Sequence, residues 1–552
     1  MDNKVKSALD GIVNAVSVEE TTRETALREA TKSAILIPNF LKLDASEISA
    51  AVLYLSQNIV CKYNNTLDKS QASLKWAMPK NIEAFQLAMF LIKKNNMINL
   101  VYVDDDASSE IAVYDDDAGI YSVDPNTINR AILSYSVSGN KSYLDEVMTQ
   151  LRAFAPVRTR TLDRDLVPVA NGIFNYKTKQ LLDFSPDYVF LTKSKTSYNQ
   201  NAVNVVIHND EDGTDWDVES WMKSLSDDPE IVNLFWEITG ALLRPNVCWD
   251  KSAWLYSSLG ENGKGTLCSM WRNLCGTAAT SIPIADFSKD FMLSSLITSQ
   301  AIIVDENDVG TFIDKAGALK AVITNDVVYI NRKHKDPIAY QFHGFMVQCL
   351  NELPKFKDKS DSVYRRQLFI PMSKCFTGKA RKYIKSDYIN RPEVLEYVMK
   401  RVFEMNYYTL SEPEACKIVL DEYKIYNDPV RQFWCEFEDQ FVWDFIPDSF
   451  LWDLYKAWFK RENPNGFEGS SRTFWDALRN IVADSDAFIL HEGKQIRPAA
   501  QHDMTATETL IASYNLENWM TRGVNSKSAA TIESMCRPDL STLRTRKGLI
   551  RK

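Results

Sequence analysis

Residues 254–266, Trp254-Leu255-Tyr256-Ser257-Ser258-Leu259-Gly260-Glu261-Asn262-Gly263-Lys264-Gly265-Thr266, run from an apolar strand into a glycine-rich turn and a lysine. The helical pattern Leu267 to Leu274 follows. A phosphate chain binds where backbone N–H groups converge, and glycines permit both the tight turn and the close approach of the backbone. The following helix adds the positive end of its dipole, and Lys264 is spaced to reach the terminal phosphates. Gly260, Glu261, Asn262, Gly263, Lys264, Gly265 and Thr266 are therefore the candidate nucleotide-binding residues, with ATP and Mg²⁺ as the expected ligands. The stretch departs from the usual G-x-x-x-x-G-K-[ST] pattern at two places. Ser258 holds the first glycine position, and Gly265 follows the lysine, which moves the hydroxyl expected at Mg²⁺ to Thr266.

Downstream, the apolar run Ala301-Ile302-Ile303-Val304 ends in Asp305-Glu306. A strand ending this way offers one carboxylate, Asp305, to organise Mg²⁺ and the next, Glu306, to polarise an attacking water. A third apolar run, Phe345 to Leu350, ends in Asn351-Glu352-Leu353-Pro354, and an amide there can sense a terminal phosphate. Arg365-Arg366 then precede the run Gln367 to Ile370, and either arginine is a candidate to stabilise charge on a transferring phosphoryl group from a neighbouring subunit.

The order of these strings resembles superfamily 3 helicases, and most nearly the phage and plasmid primase-helicase family with its poxvirus relatives. The strings that carry the likeness are Asn262-Gly263-Lys264-Gly265, Asp305-Glu306, Asn351-Glu352-Leu353-Pro354, and Arg365-Arg366 ahead of Ile370-Pro371. Val169 to Phe174, Trp221 to Gly240, Asp428 to Phe433 and Tyr455 to Phe459 extend it outward. The resemblance implies an α/β AAA+ ATPase core. It also implies a hexameric ring with active sites at subunit borders, translocation on single-stranded or forked DNA, and a DNA-binding hairpin between the Asp-Glu and Asn motifs. Here that position holds two β-type runs, Val327 to Ile330 and Ile338 to Phe342, around a basic tip. Arg332, Lys333, His334 and Lys335 of the tip, with Lys320 before it, are the candidate DNA-binding residues. Cations at such a tip track phosphates without reading sequence.

Around this core the pattern predicts a helical N-terminal collar (1–95), an α/β domain (96–214), the ATPase core with a helical lead-in (215–385), a helical connector (386–427), a winged-helix-like domain (428–502) and a polar, basic tail (503–552). Within the winged unit the sequence predicts a hairpin of Phe488-Ile489-Leu490 with Gln495-Ile496. The nine cysteines form no CxxC pair, which excludes zinc ribbons and fingers by spacing. A net charge of −9 speaks against a protein that coats nucleic acid over its whole surface, and leaves room for a local basic channel. No apolar run of about 18 residues occurs, and the N-terminus is polar, so a cytoplasmic chain is expected.

Two acidic triplets, Asp104–Asp106 and Asp115–Asp117, raise a second expectation, a bifunctional primase-helicase. Primer synthesis needs paired metal-binding aspartates and a nearby histidine, and the histidines, at 208, 334, 343, 491 and 502, are distant in sequence. The triplets therefore read as solvated loop ends, and a primase, if needed, as a separate partner. Two further expectations remain: a DNA-binding initiator or scaffold with weak or no ATPase activity, and a packaging or defence motor.

Overall fold

The computed structural model describes residues 3–19, 21–103, 109–136, 139–378, 381–464, 466, 468–483, 485–491, 504–520, 536 and 547–552. The chain divides into two compact units, residues 1–353 with 365–415, and residues 354–364 with 416–552.

The first unit begins with helices Asn3–Ala15, Arg23–Ile35, Ala45–Thr66 and Ala84–Lys94, followed by a four-stranded sheet. The long third helix starts in a capping box: Asp44 accepts from the Glu47 N–H at 2.8 Å, and Glu47 accepts from the Asp44 N–H at 3.3 Å. The expected boundary at 95/96 is not a boundary. Phe90 and Leu91 of the fourth helix share one buried core with Ile111 and Val113 of the sheet and with Ile128 and Leu151 of the helices after it. An amphipathic helix without a partner layer leaves its apolar face wet, and the sheet supplies that layer. Further on, the Ala170-Asn171 turn joins strands Leu166–Val169 and Gly172–Asn175.

Five parallel strands form the centre of this unit. Their spatial order is Ala279–Thr280, Ala301–Val304, Phe345–Leu350, Ser252–Tyr256 and Gln367–Pro371. Strands covered on both faces read as continuous apolar runs, which is why four of these segments, all but Ala279–Thr280, are visible in the sequence. The register sets Ala253 beside both Val347 and Leu368, and Ile303 beside Val347. The helix Lys264–Cys275 packs over the sheet, and the lead-in helices Val218–Ser224 and Pro229–Leu243 start at the side-chain caps Asp217 and Asp228. The Trp271 indole donates to Thr239 Oγ1 at 2.7 Å, pinning the phosphate-loop helix to the lead-in.

The stretch expected as a connector (386–427) does not stand apart. Its helix Pro392–Glu404 packs on the lead-in through Arg401 and Tyr397, both bonded to Glu219 Oε1, at 3.1 and 3.0 Å.

In the second unit, helix Pro429–Phe437, strand Phe445–Pro447, helices Asp448–Glu462 and Ser471–Val482, and strand Phe488–Leu490 surround an aromatic core. The stretch expected as a polar tail (503–552) contains a strand of the core. Gly548–Arg551 is the central strand of a three-stranded antiparallel sheet, between Phe445–Pro447 and Phe488–Leu490. Leu549 is fully buried, so the end of the chain belongs to the core. The expected partner of Phe488–Leu490, Gln495-Ile496, lies outside the described residues. Among the described residues no helix is long and apolar enough to cross a membrane.

Candidate nucleotide site and nucleic-acid hairpin

All five central strands point the same way, so Ser257, Asp305 and Asn351 emerge at one edge of the sheet. Ligand sites in open parallel sheets form at that carboxyl edge. The Phe345–Leu350 strand lies between the other two, which puts Asn351 between the phosphate-loop lysine and the acidic pair.

The turn itself is built by local bonds. Gly263 takes the left-handed conformation (φ +88°) and caps the helix at Lys264. Glu261 is also left-handed (φ +51°), and its carbonyl accepts from the Phe376 N–H at 2.8 Å. Asn262 is buried; its amide donates to the Leu259 carbonyl at 2.6 Å, and its oxygen accepts from the Lys264 N–H at 3.3 Å. Lys264 is buried too. Its ammonium donates to the Leu350 carbonyl at 2.7 Å, Asn351 Oδ1 at 2.8 Å and the Ser257 carbonyl at 3.3 Å. Burial lowers its pKa from the usual lysine range, opposed in part by Cys349, Cys268 and Glu306.

Asp305 and Glu306 are exposed. Asp305 meets Arg272 of the phosphate-loop helix at 3.2 Å, and the same guanidinium holds the Ile303 carbonyl at 2.7 Å. Asn307, buried behind the pair, donates to Gln348 Oε1 at 3.0 Å and to the Cys349 carbonyl at 3.1 Å, and accepts from the Ile284 N–H. Arg272, Asn307 and Gln348 were not singled out from the sequence. An Asn directly after Asp-Glu and a Gln inside an apolar strand are the signals that could have found two of them. Among the described residues no three His, Cys, Asp or Glu side chains form a metal cage. Exposed carboxylates at a strand end suit Mg²⁺, which is commonly held by one or two carboxylates with substrate phosphates and water.

Arg365 and Arg366 stand elsewhere. The Ser252 N–H donates to the Arg366 carbonyl at 2.9 Å, so both arginines lie at the amino edge of the sheet, roughly 17 Å from the phosphate loop for a five-residue strand. Within one chain they do not meet Lys264.

The basic tip is a true hairpin, Val327–Arg332 paired with Lys335–Gln341, with His334 left-handed at the turn (φ +60°). Lys333 and His334 are exposed. Arg332 and Lys335 instead meet Glu110 Oε1 at 2.6 and 2.9 Å, and Tyr102 donates to Glu110 Oε2 at 2.8 Å. Lys320 lies on the helix Gly317–Ile323 that leads into the hairpin. Tyr329, on the outer face of the hairpin, is 77% exposed.

Three segments match family models. Residues 128–230 match the D5 N terminal like family, and residues 426–516 match the Poxvirus D5 protein-like family. Two segments of the chain thus carry a likeness to D5-type proteins. The phosphate loop, acidic pair, hairpin and Asn351 all fall within residues 255–366, which match a family of unknown function, DUF5906. Among solved structures, the chain is similar to the C-terminal region of NrS-1, at 11% identity and a TM-score of 0.41, covering 85% of this chain and 100% of that one. It is also similar to JCV helicase, at 16% identity and a TM-score of 0.23, covering 37% and 58%. No curated protein matches.

Proposed function

We propose that the chain is an ATP-driven replicative DNA helicase of the AAA+ type, working as a ring, and that it draws single-stranded DNA past the 332–335 tip. The observation that carries this reading is the single sheet edge that brings Lys264, Asn351 and the Asp305-Glu306 pair together. From Pro429 onward the second unit runs helix, strand, two helices and strand, then, after the short helix Leu510–Ser513, the strand Gly548–Arg551 that closes a three-stranded sheet, an order that supports a winged-helix-like DNA-binding domain.

In this reading the phosphates lie along the 260–266 turn, and the Lys264 ammonium exchanges its carbonyl partners for the terminal phosphates. Asp305 and Thr266 are the residues that would hold Mg²⁺, which when bound offsets phosphate charge. Glu306 takes a proton from water as the water oxygen bonds to the γ-phosphorus. The bond from that phosphorus to the bridging oxygen breaks, and ADP leaves with the electron pair. Asn351, bonded to Lys264, senses whether the γ-phosphate is present. Arg365 or Arg366, too far to act in its own chain, acts on the pocket of a neighbouring copy, which makes a hexamer part of the mechanism.

The test is ATP turnover with and without single-stranded DNA, run beside a particle-mass measurement. Lys264→Ala abolishes turnover, and Glu306→Gln binds ATP without cleaving it. A strictly monomeric particle that never cleaves ATP rejects the reading. For the primase-helicase reading, Asp104–Asp106 lie outside the described residues, while Asp115 accepts from the Ala118 N–H at 2.9 Å and closes a turn.

A further inference from the structure

Gly265 stands where this kind of loop usually carries a hydroxyl side chain. A Cβ on Gly265 would lie 3.4 Å from the ammonium of Lys385. Lys385 comes from the short helix Lys382–Ser386, well beyond the last strand of the sheet. That segment is tied to the phosphate-loop helix: Asn273 donates to the Ile389 carbonyl at 3.2 Å, and Asn390 donates to the Lys385 carbonyl at 3.1 Å. Tyr383 anchors its other side on Asp212 at 2.6 Å.

Two neighbouring arginines are committed to carboxylates. Arg381 lies 4.0 Å from Asp212, and Arg391 pairs with Asp387 at 2.6 Å. Among the described residues Lys385 has no ion pair. It lines a cavity of about 880 Å³ together with Gly263, Thr266, Trp221 and Phe376; Lys382 and the carboxylates Asp212, Asp215, Asp217 and Glu261 line the same cavity. A cation held beside the first turn of a helix is electrostatically unfavourable, because that end is already positive. An anion between them reverses the sign. A nucleoside triphosphate on the 260–266 turn supplies that anion, and the apolar wall of the cavity suits its base.

We propose that Lys385 is a second phosphate-binding cation of the nucleotide site, acting within its own chain. Gly265 is glycine so that the ammonium reaches the phosphates from the side a hydroxyl would otherwise fill. The inference rests on the nucleotide reading above and adds a binding residue to it. Lys264 approaches from the strand ends and Lys385 from the cavity, so the phosphates are held from two directions.

The experiment titrates the full-length protein with MgATP, MgADP and AMP. Lys385→Ala weakens ATP and ADP about tenfold, the cost of one charge-assisted bond, raises the KM for ATP, and leaves AMP within about twofold. Lys385→Arg restores most of the loss, and Gly265→Leu, which crowds the same approach, reproduces it. Thermal unfolding of Lys385→Ala stays at the wild-type temperature, since the side chain is exposed. Unchanged ATP affinity in Lys385→Ala, or an equal loss for AMP, overturns the proposal while wild-type turnover leaves the nucleotide reading intact. Wild-type protein that binds no nucleotide overturns both.

Discussion

Arg332, at the tip of the hairpin, lies 2.6 Å from Glu110 of the N-terminal sheet, with the two side chains only 12% and 17% exposed. Lys335 joins the same carboxylate oxygen. Burial pushes the Glu110 carboxyl up, but hydrogen bonds from Lys335 and Tyr102 and the nearby cations outweigh it and hold it below the ordinary carboxylate range. Two of the cations proposed to track DNA are thus engaged by the protein itself, and on that proposal a polynucleotide competes with Glu110 for them.

Replacing Glu110 with Gln removes the competitor. Affinity for single-stranded DNA rises, and the slope of log K against log salt steepens by about 0.7 for each freed cation that reaches a phosphate. Fluorescence anisotropy of a labelled oligonucleotide across a salt series reads both. An unchanged slope means these cations do not face the DNA.

Gly263 and Gly260 respond differently to alanine. At Gly263 the positive φ costs a side chain about 1–2 kcal/mol, and the new Cβ would meet Leu225 at 2.8 Å. Gly260 has open space within 4 Å. Gly263→Ala therefore lowers stability and loses ATP binding, while Gly260→Ala stays close to wild type in stability. Denaturant unfolding separates the two.

Cysteine reactivity follows local bonding. The hydrogen bond from Thr377 lowers the pKa of the exposed Cys375 thiol, so it reaches the thiolate form at lower pH than an ordinary cysteine. Cys349 is raised by its contact with Cys268, 3.3 Å away, and by burial, and burial pushes Cys248 up to about 11. Brief iodoacetamide treatment at neutral pH, read by peptide mass spectrometry, labels Cys375 ahead of Cys248 and Cys349. Cys375 lies beside the Gly260 carbonyl, so MgATP slows its labelling.

Acid sensitivity has one source at His343. Burial, with the Arg160 charge beside it, pulls its pKa down to about 4. The unfolded chain takes up this proton near the ordinary histidine value, about 6.5, and the folded chain does not. Stability on this account is complete above that value and is lost as pH falls toward 4. His343→Gln unfolds at a temperature that depends less on pH between 7 and 4.5 than wild type. Parallel pH profiles remove His343 from the account.

Local chemistry was legible where one segment carries its own signal. Apolar runs ending in Asp305-Glu306 and Asn351, and the glycine turn before Lys264, are visible because a doubly covered parallel strand must be apolar and its exit must be polar. The helix starts at Asp217, Asp228 and Ser470 could likewise be read from capping residues, which act within three positions. The strand in the tail is not legible, because Gly548–Arg551 is only four residues long and has no apolar run long enough to announce it. It becomes a strand only between two others.

The sequence by itself determined which residues could handle a phosphate and where the apolar core strands around them run, because those preferences are set by neighbours along the chain. The tertiary structure alone decided that Asn351 stands beside Lys264, that Arg365 and Arg366 fall at the far edge, that Glu110 holds the hairpin tip and that Lys385 reaches Gly265. Each of these depends on strand order or on packing between segments distant along the chain. Such pairings are selected by the burial of shared apolar surface, and no single segment contains that information.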